Sequence, residues 1–473
     1  MLNDFLILMK QELVLTAIIF IILFIKVGSK DWKNEKLMNL VNFLLLINFI
    51  AGFLYNDEGT LFSGMFTLSN FSILQKNILS LGTLIISMQA YSWLKEHKNV
   101  AEFYILLLST LLGMYLMISS GNLLMFYLGL ELSTIPLAAI VNFDLERRSS
   151  SEAAFKLIIS SAFSSGLLLF GISLIFGTTG SLNFSEIAFA LKGNPLQLFA
   201  FVLLIAGFAF KISAVPFHLW TADVYEGAPV TVTSYLSVIS KGAVLFVFVS
   251  VLYNVFKPMA SLWYTILCIL SITTMLVGNL FALRQNNLKR FLAFSSIAQV
   301  GFVLIGISGT SEAGITSVVY FVLIYIFSNL AAFGVIGLVS ALTGKETIED
   351  YKQFYKNNKF LSWVITIALF SLAGVPPTAG FFGKFFLLMS GAKVGLQITY
   401  VWLTVAALNL IISFYYYLKV VKAIFMDTNE APIEKLVVPT IPKLALYICL
   451  LGIIITGVGS FVYSYINSLA FGF

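Results

Sequence analysis

Four ionisable residues stand inside long apolar runs: Glu131 in FYLGLELSTIPLAAI, Lys211 in GFAFKISAVPFHLW, Lys241 between SYLSVIS and GAVLFVF, and Lys384 between SLAGVPPTAGFFG and FFLL. A charge near the centre of a bilayer costs at least about 2.5–3.5 kcal/mol on insertion scales, so each is read first as functional. A carboxylate at position 131 must be protonated, paired across helices or hydrated, and an amine in the same medium changes protonation at modest cost. The chemistry open to this set is proton exchange. The structural alternatives are a hydrogen-bonding acid at Glu131, a lysine at 211 that snorkels from a helix end, and a packed cation at Lys241.

Two of these charges adjoin helix breakers. Pro216 follows Lys211 by five residues, and Pro376, Pro377, Gly380 and Gly383 precede Lys384. A break frees backbone carbonyls, and a broken helix that carries a buried charge is how secondary transporters build ion sites. One lysine precedes its Val-Pro pair, Val215-Pro216, and the other follows Val375-Pro376, a weak symmetry of the kind inverted repeats leave. His218, just past the first break, is placed to relay a proton between Lys211 and Lys241, or else to cap carbonyls beside Trp220. Lys156, in EAAFKLIISSAFSSG, is open between a place in the bundle near Glu131 and a solvated helix end. Asp223 and Glu226 read as cytoplasmic helix-end charges, and His97, in WLKEHKN, as a solvated loop residue.

The elements that must position these groups follow from composition. The chain has 473 residues, 59% hydrophobic and 11% charged, with a mean hydropathy of +0.96. A soluble domain of this size needs more polar surface, so the solvent is a bilayer. Apolar runs of roughly twenty residues exclude the ten-residue alternation of a barrel and predict an all-α polytopic membrane protein. Spanning windows fall near 13–27, 37–54, 72–92, 103–120, 122–142, 154–176, 197–220, 228–254, 261–283, 291–308, 315–341, 360–391, 396–426 and 442–466, which predicts about 14 helices. The run at 13–27 reads as a retained first helix rather than a cleavable leader. Four segments are expected: 1–92 with three helices, 103–254 and 261–426 as a pair of inverted repeats, and 442–473 as a final helix.

Charge placement sets the topology. With the N-terminus outside, Lys10, Lys76, Lys192, Lys257 and Lys393 fall outside, Lys211, Lys241 and Lys384 fall within spans, and the rest of the 28 basic residues, Lys30 among them, face the cytoplasm. That asymmetry places both termini on the outer, periplasmic side and accounts for the net charge of +6 without a nucleic-acid partner. The polar stretches 344–359 and 427–443 are too short for a catalytic domain. Cys268 and Cys449 are far apart with no CxxC spacing, and no glycine-rich nucleotide loop, HExxH or Ser/His/Asp set occurs, so no redox, metal or hydrolytic centre is expected in the chain.

The pieces FYLGLELSTIPL around Glu131, KISAVPFHLWTADVYEGAP from Lys211 to Pro229, SVISKGAV around Lys241, NLFALRQNNLKRFLAFSSIAQVG from Asn279 to Gly301 and SLAGVPPTAGFFGKF from Ser371 to Phe385 carry a resemblance. They resemble the subunit N family of the bacterial proton-pumping NADH-quinone oxidoreductase, respiratory complex I, which is equivalent to mitochondrial NADH dehydrogenase subunit 2 and belongs to an antiporter-like group. The resemblance runs from GMF at 64–66 to FYYYLKV at 414–420. It implies that Glu131 is the family's membrane glutamate, that Lys211 and Lys384 are the lysines of its broken seventh and twelfth helices, that Lys241 is its eighth-helix lysine, and less securely that Lys156 is its sixth-helix lysine. Where the family usually reads WxPDVYEGAP, this chain has Trp220-Thr221-Ala222-Asp223 and so lacks a proline.

The resemblance further implies a membrane-arm subunit in the bacterial inner membrane that translocates protons as part of a translocase. Electrons would pass from NADH through FMN and iron-sulfur clusters to quinone in partner subunits, with no cofactor in this chain. Its partners would be other membrane subunits and the lipid bilayer, with no soluble substrate bound directly. A subunit of a sodium/proton antiporter and a purely structural membrane subunit remain as alternatives.

Overall fold

The computed structural model describes residues 2–28, 32–54, 57–309, 311–393 and 397–470; Lys30 of the charge count and the last three positions of the 442–473 segment lie outside the described residues. The apolar runs form helices because lipid offers the backbone no hydrogen-bond partner, so each N–H and C=O is satisfied within its own segment.

Among the described residues twelve helices are long and apolar enough to cross a membrane. They answer twelve of the predicted windows. The window at 37–54 holds Asn34–Ala51, in which Asn39, Asn42 and Asn48 dilute the apolar run. The window at 360–391 holds two shorter apolar helices, Lys359–Ala373 and Ala379–Ala392. The architecture is therefore all-α and polytopic, with two spans assembled from joined, discontinuous pieces. The window at 197–220 ends as helix at Ile212, and Leu219–Gly227 follows as a separate short helix. The final window is also divided, into Thr440–Val458 and Ser460–Ala470 at Gly459. One feature that period-3.6 patterns do not announce is a two-stranded antiparallel hairpin, Gly59–Leu61 with Phe66–Leu68, in which Thr60 pairs with Thr67.

The chain divides into two compact units. The first comprises Met1–Ser87, Leu94–Ile212 and Ser240–Trp263; the second comprises Met88–Trp93, Ser213–Ile239 and Tyr264–Phe473. In the first unit the Val100–Ile118 and Leu123–Val141 helices approach so closely that a Cβ on Gly113 would collide with the Ser133 backbone nitrogen, and one on Gly129 would lie 2.7 Å from the Met117 nitrogen. Small residues permit such backbone contact in membranes. Gly129→Val is expected to cost about 3 kcal/mol, the upper end of overpacking because backbone and not a side chain must move. A lower melting temperature of the purified protein would register it. In the second unit Leu288–Ile307 and Ser311–Thr343 are the most enclosed helices, with Lys359–Ala373, Ala379–Ala392 and Thr440–Val458 packed around the latter.

The polar stretch 344–359 is not a free linker. The Leu288 N–H donates to the Glu346 carbonyl and the Ile348 N–H to the Asn286 carbonyl, both at 2.8 Å, while Tyr351 and Phe354 are fully buried. The stretch 427–443 is anchored in turn, since Asn358 donates to the Glu434 carbonyl at 2.9 Å and accepts from the Leu436 N–H at 2.8 Å.

Candidate functional site

In the first unit Lys211 occupies the last turn of Pro195–Ile212, where the backbone turns out of the helix at Ser213 with φ +66°. Its Nζ donates to Ser161 Oγ at 2.7 Å and to Thr134 Oγ1 at 3.0 Å. Both acceptors are neutral hydroxyls. The carboxylate whose field reaches the amine is Glu131, on the same helix as Thr134 and three residues earlier, which puts both on one face. That helix starts from Asn122, whose side chain caps the Leu124 and Met125 N–H groups, and carries Pro136 in its interior. Glu131 Oε1 is buried and accepts no hydrogen bond among the described residues. The sequence-predicted Glu131 and Lys211 thus share one site.

Lys156, on the same Arg148–Thr179 helix as Ser161, pairs with Glu152 at 2.8 Å, one helical turn away, with side chains 40% and 62% exposed. Lys241 is 3% exposed and begins the Lys241–Asn254 helix directly after a π-helical turn, Leu236–Ser240. Such turns widen a helix by one residue and redirect the side chains beyond them.

In the second unit the first break exposes the Val215 N–H, which is satisfied by Thr274 Oγ1 at 2.9 Å. His218 precedes the Leu219–Gly227 helix. Its imidazole is half-buried and bonds the Pro216 carbonyl, while Nδ1 is buried with no hydrogen-bond partner among the described residues.

The second break orders Lys384. The Lys359–Ala373 helix ends at Gly374 with φ +87°, a conformation glycine adopts without strain. The freed carbonyls of Leu372 and Ala373 accept from Lys384 Nζ at 2.7 and 3.3 Å, so the cation also meets the negative end of the helix dipole. Nζ lies 5.0 Å from the Phe302 ring centroid. Ser371 Oγ ties the two half-helices together by accepting from the Gly380 N–H at 3.1 Å, and it bonds Ser328 Oγ at 2.7 Å. A polar chain leads away from the lysine: Gln299 donates to the Leu372 carbonyl at 2.9 Å and to the Tyr417 hydroxyl at 3.4 Å, and Tyr417 bonds Ser295.

Sequence reasoning missed three charged contacts. Lys76, counted as an outer-face cation, is fully buried and paired with Glu12 at 2.5 Å, although its place within the 72–92 window was a signal in itself. Lys289, counted as a cytoplasmic loop cation, is 3% exposed. It pairs with Glu346 at 3.0 Å and donates to the Ala228 carbonyl at 3.2 Å. Arg290 Nη1 donates to both Asp223 and Glu226 at 2.8 Å. Nothing local in the sequence announces these partners, which are separated by more than fifty residues in each case.

Residues 120–410 match the family described as NADH:quinone oxidoreductase/Mrp antiporter, transmembrane. The chain is 46% identical to NADH-quinone oxidoreductase subunit N of Phocaeicola vulgatus over 98% of both proteins. A solved chain of respiratory complex I from Thermus thermophilus superposes with a TM-score of 0.81 at 26% identity, covering 96% of this chain and 98% of that one. A chain of the Mrp complex from a Dietzia species shares the fold, with a TM-score of 0.86 at 20% identity and coverage of 97% and 96%.

Proposed function

The chain belongs to the NADH:quinone oxidoreductase/Mrp antiporter transmembrane family, and from that membership we propose how its buried charges carry protons. It is a multi-pass subunit of the inner membrane, in the proton-translocating module of an NADH-quinone oxidoreductase, and it associates with other membrane subunits in the bilayer. Electron transfer from NADH to quinone takes place in the partner subunits.

The observation that carries the mechanism is the Lys211 amine, fixed by two neutral hydroxyls at a helix break and within the field of Glu131, whose Oε1 is buried. With Glu131 ionised, the ammonium form of Lys211 is favoured. When that negative charge is neutralised or screened, the ammonium loses the charge that balances it, and the amine gives up its proton. A relay through His218 and water to Lys241 and then Lys384 is supported by the placement of each group beside a helix break or a π-turn. Each pKa unit of swing corresponds to about 1.36 kcal/mol, so a few kcal/mol per step is enough. Lys156, on the helix that also carries Ser161, helps set the charge state of Glu131. The segments 103–254 and 261–426 act as inverted repeats around these sites, flanked by 1–92 and 442–473, with both termini periplasmic. Tags at the two ends, labelled from outside in right-side-out vesicles, test that orientation.

Gently solubilised native membranes run on a native gel test the assembly. This polypeptide is expected to comigrate with NADH dehydrogenase activity at several hundred kilodaltons, about an order of magnitude above one chain. Because an Mrp complex shares the fold, sodium/proton exchange is the second reading. Migration without that activity, together with transport that stops when sodium is removed, would establish it.

A further inference from the structure

The Glu12–Lys76 pair lies outside the set of residues the proposed relay uses, yet it is the most deeply buried ion pair among the described residues, with side chains 3% and 0% exposed. Glu12 sits in the first turn of Lys10–Gly28, and Lys76 about two turns into Asn70–Gln89. The adjoining residues, Gln11 before Glu12 and Asn77 after Lys76, form a parallel rung in which Gln11 donates to Asn77 Oδ1 at 2.7 Å. The end of Asn34–Ala51 closes the site, because a Cβ on Gly52 would collide with Asn77 Oδ1. Tyr115, from Val100–Ile118, completes it with its ring 6.0 Å from Lys76 Nζ and its hydroxyl bonded to Asn48.

An open cavity lies near the pair without reaching it. Its volume is about 1070 Å³, and it is lined by Asp4, Asp57 and Glu58 together with Leu8 and Leu61. Leu8 and Leu61 pack with Phe66 in one apolar cluster, and Lys76 Nζ lies 5.2 Å from the centroid of the Phe66 ring. Leu8, Leu61 and Phe66 thus connect the carboxylate-lined cavity to the ion pair through apolar contacts. Lys10, which donates to the Leu54 carbonyl, lies in the fields of both Asp57 and Lys76 and links the two electrostatically.

We propose that Glu12 and Lys76 form a second acid–base pair, a proton-exchange site reached from the end of the bundle that bears residues 4–12. A structural pair in such surroundings gains little over apolar side chains of equal volume, and two acceptors beside it, Glu12 Oε2 and Gln11 Oε1, are buried with no hydrogen-bond partner among the described residues. Transfer of one proton from Lys76 Nζ to Glu12 gives an uncharged amine and carboxylic acid, with atoms and charge balanced. A proton arriving through the carboxylate-lined cavity then restores the ammonium, so the pair cycles between net charge zero and plus one. A protonated Glu12 also supplies a donor where the site now has only spare acceptors.

The inference rests on the proton-carrying reading above, and its test separates the two. In the assembled complex, the double variant Glu12→Gln/Lys76→Met is expected to lower protons translocated per NADH oxidised by about twofold or more. An unchanged ratio, alongside a lowered one in Lys211→Met, overturns this site and leaves the wider reading standing; no change in Lys211→Met overturns the wider reading. If the double variant does not assemble, the native complex decides. A hydrophobic carbodiimide adds only to a protonated carboxyl, forming an acylurea. Peptide mass spectrometry is expected to find that adduct on Glu12, and a permanently ionised pair would give none.

Discussion

Lys384→Arg is expected to lower NADH-driven proton translocation by the assembled complex about tenfold or more, a loss of at least about 1.4 kcal/mol in the limiting step. The variant is informative because it keeps the charge. An arginine can still donate to the Leu372 and Ala373 carbonyls and face the Phe302 ring, so a lysine that merely caps the end of Lys359–Ala373 would be replaced with little consequence. A guanidinium does not release its proton in a protein, so a proton carrier would be stopped. The larger side chain enters a packed site, where overpacking costs about 1–3 kcal/mol, and Lys384→Met provides the control of similar length. Methionine leaves the Leu372 carbonyl with its Gln299 donor, so assembly on a native gel should persist while translocation is lost. Retained pumping in the arginine variant and lost pumping in the methionine variant would identify Lys384 as a structural cap.

Glu131→Gln is expected to be the second large effect, again about tenfold on proton translocation, with a stability change of about 1 kcal/mol or less. Glutamine preserves volume, and Glu131 Oε1 accepts no hydrogen bond that the amide would forfeit. Lys211 keeps both hydroxyl partners, Thr134 and Ser161. The one thing removed is the negative charge that acts on the amine. Glu131→Asp, which restores the charge on a shorter arm, should recover a substantial part of the activity, with an expected deficit of about threefold. Equal pumping by wild type and Glu131→Gln in assembled complexes would show that Lys211 changes protonation without this carboxylate.

The sequence by itself determined the solvent, the apolar helices and two of the places where helices fail. Hydropathy along a span and the conformational limits of proline and glycine are local properties, so Pro216 and the Pro376–Gly383 group mark those two breaks without knowledge of any neighbour, whereas the division at Gly459 and the π-turn at Leu236–Ser240 carry no proline. Desolvation is local in the same sense: a charge ten residues deep in an apolar run is costly whatever packs beside it, which singles out Glu131, Lys211, Lys241 and Lys384.

Only the tertiary structure decided the pairings. Lys211 meets hydroxyls 77 and 50 residues away, and Lys76 meets Glu12 across 64 residues. Which face of one helix packs on which face of another is set by side-chain volume and by close approaches such as Gly113 and Gly129, and no spacing along the chain records it. For the same reason positive charges counted for topology, Lys76 and Lys289, proved to be buried halves of ion pairs. A lysine near a helix end looks alike in sequence whether its amine reaches water or a carboxylate, and the partner that distinguishes the two is supplied by the fold.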